Sequence, residues 1–193
     1  MKNQENQPTE PSRRSARSES TTVPKIKSGR SAPPEPIAES GTEQEGVAAL
    51  LNALLADEFV LYAKMLNYHW NVRGMQFHSL HPFLEQLYKD QFEAVDDLAE
   101  RVRTVGGTAL GTMAGFLRQA HVKEQDGFPP DPRAMISNLL RDLEMILEST
   151  RSAIEQMDEP FNDPGTCNLL ETLLERQEKT AWMLRTHLDM DFG

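Results

Sequence analysis

Apolar residues return at steps of three and four between Gly41 and Gly74: Leu50, Leu51, Leu54, Leu55, Tyr62, Met65 and Leu66, with Glu58 and His69 on the same stripe. That period predicts a long helix with one mostly apolar face, and no proline interrupts it. Gly74, able to take the left-handed geometry that ends helices, marks the stop. A second helix is predicted from Ser79, read as its N-cap, to about Gly106-Gly107, burying Leu84, Leu87, Val95, Leu98 and Val102. Pro82 is expected in its first turn, where amide groups have no helical partner to lose. Thr112 to Gln119 fits a short helix inside a longer connection. Asp131-Pro132, a cap followed by a first-turn proline, opens a helix carrying Met135, Leu139, Leu143, Ile146, Leu147 and Ile154. After a loop from Asp158 to Gly165, a last helix from about Thr166 to Leu188 presents Leu169, Leu170, Leu173, Leu174, Ala181, Met183, Leu184 and Leu188. Four long helices, no strand pattern and no internal repeat predict an all-α four-helix bundle whose central crossover holds the short helix.

Residues 1–43 read differently. They hold six of the twelve prolines, eleven Ser or Thr and none of the thirteen aromatic residues, too little apolar surface to offset the entropy of ordering. The expected organisation is a disordered Ser/Pro-rich tail, 1–43, ahead of a helical domain, 44–193. Charge is uneven along the chain as well. The first 34 residues carry seven basic and three acidic groups, a net +4, so the remaining 159 carry −14 of the overall −10. An acidic body suits cations and repels nucleic acid, which leaves the basic segment as the place for any DNA contact. A single cysteine, Cys167, excludes a disulfide framework and a Cys-based zinc site within one chain, and fits a reducing compartment. With no apolar run of membrane-spanning length and no apolar core near the N-terminus, the expectation is a soluble cytoplasmic protein.

The candidate chemistry clusters at the first helix-helix turn. His69, His78 and His81 fall within thirteen residues, and His81, Glu85, Tyr88, Phe92, Asp96 and Glu100 succeed one another along the second helix at steps of three or four. Taken singly, each histidine suits a satisfied interface and each carboxylate a solvated face with Arg101 and Arg103 nearby. Taken together, ionisable groups on a partly apolar stripe call for partners or a metal. His69, His81 and Glu85 converge at one end of the hairpin, and Asp96 and Glu100 lie one turn apart. From His81 to Asp96 is about 22 Å at a rise of ~1.5 Å per residue, too far for one site on one straight helix. Either each chain carries two half-sites or a second chain completes each one. A two-fold axis across the second helix would bring the opposite ends together. Imidazole with carboxylate and without thiolate suits iron, manganese or zinc. Bundles that build a di-iron site inside one subunit use Glu-x-x-His pairs, and no Glu here has a His three residues later.

The blocks His69-Trp70-Asn71-Val72-Arg73-Gly74, Phe77, Leu80-His81, Asp96, Ala99-Glu100-Arg101 and Gly106-Gly107-Thr108-Ala109-Leu110-Gly111-Thr112 strongly resemble the Dps-type miniferritins, the DNA-binding proteins from starved cells. The likeness covers residues 45–190 and includes Trp182. It implies a ferritin-like bundle assembled as a hollow twelve-subunit shell, with ferroxidase centres between two-fold-related subunits. It implies that His69, His81 and Glu85 come from one subunit and Asp96 and Glu100 from its partner. Glu100 would bridge two irons, zinc or manganese being possible substitutes, and Trp70 would donate electrons that limit radical escape. The implied activity is Fe(II) oxidation by hydrogen peroxide, or dioxygen, with storage of ferric mineral and protection of DNA in the bacterial cytoplasm.

Two residues depart from that pattern. Glu85 stands where the family commonly has Asp, and Pro82 replaces an acidic residue that helps nucleate mineral. Asp158, Glu159 and Asp163 are candidates for an iron-entry pore, against a plain solvated loop. Lys2, Arg13, Arg14, Arg17, Lys25, Lys27 and Arg30, with no aromatics among them, suit sequence-independent phosphate contact. A competing reading is therefore a non-enzymatic, nucleoid-compacting DNA binder with a weak or structural metal site. A third is a zinc or manganese bundle with neither activity.

Overall fold

The computed structural model describes residues 40–127 and 131–189. The chain divides into Met1–Pro36 and Ile37–Gly193. The first unit, and with it the tail cations Lys2, Arg13, Arg14, Arg17, Lys25, Lys27 and Arg30, lies outside the described residues. Five helices follow: α1 Ser40–Asn71, α2 Phe77–Thr104, α3 Met113–Gln119, α4 Pro132–Asp158 and α5 Pro164–Asp189. No strand occurs among the described residues. α1 begins inside the segment 1–43 expected as tail.

α1 packs on α2 and α4 on α5, while α1 also meets α4 and α3. Leu51, Leu55, Leu61, Met65 and Tyr68 of α1 join Leu84, Leu98, Leu139, Leu143, Ile146, Met157 and Leu170 in a core with almost no exposure. Removing that apolar surface from water is the main force holding the bundle together. The single stripe expected for α1 is too narrow a description. α2, α4 and the crossover each cover a side, so Val47, Ala56, Val60 and Leu61 are buried as well.

Polar residues of α1 explain how the crossover is held. Asn52 Nδ2 donates to Thr108 O at 3.0 Å, and its Oδ1 accepts from Leu110 N at 2.9 Å. Asp57 Oδ1 accepts from His121 N at 2.5 Å and Val122 N at 2.8 Å, while Oδ2 meets His121 Nδ1 at 3.1 Å. Lys64 Nζ donates to Lys123 O at 2.7 Å and pairs with buried Asp142 of α4. Tyr68 Oη donates to Gln125 Oε1 at 2.5 Å. These contacts advance together along both segments, so the crossover runs beside α1 in the same direction and returns the chain for α4 to start. α1 is long and apolar enough for a membrane span. It is instead a core helix, since buried Asp57, Glu58 and Lys64 find their partners on other elements.

Two helix starts depart from expectation. α2 begins at Phe77 after Gln76, which makes no side-chain cap. Ser79 is not a cap, because the turn after Gly74, whose carbonyl accepts from Phe77 N, has led into the helix by Phe77, and the Ser79 hydroxyl donates to Gln76 O at 3.0 Å. Pro82 consequently sits inside the helix, past its first turn, and has no amide hydrogen to give the carbonyl of His78. α5 starts two residues before Thr166, because Asp163 Oδ1 caps it by accepting from Gly165 N and Thr166 N, both at 3.1 Å. The Asp131-Pro132 start agrees with the sequence reading, and the short helix expected over Thr112 to Gln119 opens at Met113, with Thr112 capping it through Gly115 N.

Candidate metal centre

Antiparallel packing of α1 and α2 about the Gly74 turn puts His69 and His81 face to face. Their rings stack with centroids 4.0 Å apart and planes inclined by 22°. His69 Nδ1 lies 3.0 Å from His81 O, and His81 Nδ1 lies 3.0 Å from His69 O. A carbonyl only accepts, so each Nδ1 carries the hydrogen and donates. In the neutral rings, both Nε2 atoms then keep a lone pair, the form that binds a metal. Phe77 stacks on His81 at 4.8 Å, and Tyr88 meets His69 edge-on at 5.1 Å, which limits ring rotation. His69 is buried and His81 half-buried, while His78 beside them is exposed.

Glu85 lies one turn after His81, and its Oε1 accepts from Lys89 Nζ at 2.5 Å. That hydrogen bond first, and the Lys89 charge second, hold the Glu85 carboxyl below its usual range, with smaller contributions from His69 and His81. The carboxylate therefore stands ionised near both rings, with a cation as its present partner. Lys89 was absent from the sequence reading, although its place four residues after Glu85 is the spacing of a helical ion pair.

Asp96 and Glu100 are exposed further along the same unbroken α2, so the separation argued from helical rise stands. Among the described residues, no three His, Cys, Asp or Glu side chains come together within one subunit in a way that would hold a metal ion. The strip between the two sets exposes Phe92, 53 % accessible, which packs on Tyr62 at 5.7 Å. Trp70, next to His69, is 69 % accessible, and Trp182 on α5 is also exposed. Of the three pore candidates, Asp158 and Glu159 face solvent. Asp163 pairs with Arg101 at 2.8 Å as well as capping α5, and its carboxyl is held low by Thr166, Arg101 and Gly165 against the upward push of burial.

Sequence reasoning placed Glu58 on a core stripe and gave it no partner. It is wholly buried, and its carboxylate accepts from Gln91 Nε2 of α2 and, at 2.6 Å, from Gln177 Nε2 of α5. Burial pushes its carboxyl up to about 7, against the two amide hydrogen bonds that lower it. A Glu in an otherwise apolar run was the visible signal. Its amide partners lie 33 and 119 residues away and carry no mark of their own.

Residues 48–191 match the ferritin-like domain family. The chain is 42 % identical over 147 residues to a low-temperature-induced protein of Nostoc, covering 76 % of this chain and 82 % of that one. It is 36 % identical over 146 residues to the DNA protection during starvation protein of Brevibacillus brevis, covering 76 % and 97 %. Among solved structures, the Dps protein of Vibrio cholerae, described as one of the ferritin-like diiron-carboxylate proteins, superposes with a TM-score of 0.74 at 33 % identity, over 77 % of this chain and 92 % of that one. The bundle, its crossover and the histidine pair at the α1–α2 turn thus sit within a shared sequence and fold, and the chain belongs to the Dps-type miniferritins of the ferritin-like family.

Proposed function

We propose that the protein oxidises Fe(II) at composite sites between two-fold-related subunits and stores the ferric product inside a hollow twelve-subunit shell, sparing DNA from oxidative damage. The observation that carries this reading is the reciprocal His69–His81 arrangement. Two backbone carbonyls fix both imidazoles with Nε2 free, one turn from an ionised Glu85. One subunit thus offers two nitrogens and a carboxylate, and the remaining donors, Asp96 and Glu100, stand exposed on the same helix for a partner. Phe92 and Trp70 are the apolar surface such a contact would cover.

Iron is the substrate, and the protein's part is to hold two ions side by side with hard donors while leaving room for the oxidant. Glu100 bridges the pair, and Glu85 leaves Lys89 to join it. Two Fe(II) give one electron each to hydrogen peroxide, whose O–O bond breaks, and two protons carry its oxygens away as water. Removing both electrons in one place avoids free hydroxyl radical, and Trp70 supplies an electron to any radical that forms. Asp158 and Glu159 are the exposed carboxylates on which an entry route would draw.

The test adds Fe(II) anaerobically to the protein, injects peroxide and follows ferric absorbance with a radical trap present. Rapid oxidation of about two Fe(II) per peroxide with little trapped radical is expected. His81→Ala and Glu100→Ala should each lose the fast phase while the assembly keeps its mass. Wild-type rates in both variants, or a 21.8 kDa monomer in light scattering, would overturn the site.

A second function, duplex binding by the tail, is favoured by the +4 charge of residues 1–34. Such contact would be sequence-independent, multivalent in a shell and weakened by salt.

A further inference from the structure

Glu58 is a buried carboxylate with no cation beside it among the described residues. Asp142, by contrast, is buried with Lys64. The charged groups around Glu58 do not supply one. Asp57, its neighbour on α1, is engaged by His121 and the crossover amides and disfavours a second negative charge. On α2 and α5, Asp90 and Arg176 line the cavity beside Gln91 and Gln177, but Arg176 is half exposed and its charge faces Asp97 at 3.9 Å. Asp142 on α4 is held by Lys64. An ionised carboxylate without a counter-charge in such surroundings costs several kcal/mol, which a bound proton removes.

The hydrogen-bond inventory points the same way. Gln177 gives its Nε2 to Glu58, while its Oε1 is buried and meets no donor among the described residues. Turning that amide over exchanges the two atoms and sets Oε1 against the carboxyl group, where it can accept a proton-borne hydrogen bond. Nε2 then needs an acceptor on the other side. A cavity of about 30 Å³, lined by Gln91 and Gln177 among apolar Met65, Leu87 and Leu143, is large enough for one water there.

We propose that Glu58 is kept as a neutral carboxylic acid inside the bundle, donating its proton to Gln177 Oε1 and so locking α1 to α5, and that losing this proton loosens the core. The raised Glu58 carboxyl is consistent with that state. The proposal is independent of the iron site and is tested on metal-free protein. Its sign follows from linkage. Glu58 titrates near 7 when folded and near the ordinary 4.5 when unfolded, so the stability it adds is complete below 4.5 and is lost as pH rises through 7.

The experiment compares wild type with Glu58→Gln, whose amide reproduces the shape and the donor of the neutral acid. Infrared difference spectra at pH 6 should show one protonated-carboxyl carbonyl band in wild type that the variant lacks and that fades as pH rises through 7. Between pH 4.5 and 8 the folded-to-unfolded ratio of wild type should fall by on the order of 100-fold relative to the variant in denaturant titrations. Absence of the band at pH 6, or identical pH profiles for the two proteins, overturns the proposal. A metal retained one per chain by protein lacking His69 and His81, without the acid band, overturns it in favour of a cation at Glu58. Should the variant not fold, the band and its pH dependence in wild type alone decide.

Discussion

Glu58 in the bundle core and Glu85 on the outer face of α2 carry the same side chain in opposite electrostatic settings. Around Glu58, two amides donate hydrogen bonds but bring no charge, and burial wins, driving the carboxyl up to about 7. Around Glu85, water is abundant and Lys89 is near, so the partner wins and the carboxyl is held low. The buried Lys64–Asp142 pair shows what a counter-charge does in the interior, since both groups there are almost inaccessible. Where a carboxylate sits decides whether it serves structure or is available to a metal, and the nature of its partner decides which protonation state it keeps.

The strongest way to break this comparison is to remove the buried cation. Lys64→Met should leave Asp142 without its partner and also free the Lys123 carbonyl, at a cost of about 3–5 kcal/mol in urea unfolding. A loss below about 1 kcal/mol would mean that water reaches Asp142 and that the interior is less dry than its geometry implies.

Removing the exposed cation should do much less to stability. Lys89→Met is expected to leave the unfolding midpoint unchanged while releasing Glu85 toward His69 and His81. On the proposed reading, anaerobic Fe(II) titration should then show tighter binding, by up to about tenfold. Weaker binding would show that Lys89 positions Glu85 rather than competing for it.

The smallest structural effect belongs to the N-terminal segment. Deleting residues 1–36, ahead of α1, should leave unfolding and iron oxidation at wild-type values. Gel retardation of duplex DNA at low salt should disappear. Retardation that persists would place the DNA contact on the helical unit, against its −13 charge.

Much of the architecture was legible because amphipathic periodicity is a local property. The Asp131 cap, the break at Gly74 and the five helices follow from residues within a turn or two of each other. Ser79 misled for a related reason. A cap needs an extended backbone as well as a hydroxyl, and the Gly74–Gln76 turn had already committed the chain to helix. At the site, the His69, His81 and Glu85 cluster could be read from spacing. The carbonyl bonds that select the imidazole tautomer could not, because they depend on the exact approach of α1 and α2.

The sequence by itself determined an all-α bundle, its long crossover, the acidic body behind a basic segment, and the fifteen-residue gap that keeps His81 from Asp96. Each of these is fixed by residue order, helical period or rise. Only the tertiary structure decided which polar residues of α1 hold the crossover, that Asp163 is tied to Arg101, and that Glu58 meets amides where Asp142 meets Lys64. Those outcomes rest on groups 33 to 119 residues apart being brought within hydrogen-bond reach away from water, where the partner and the burial, not the residue type, set the charge.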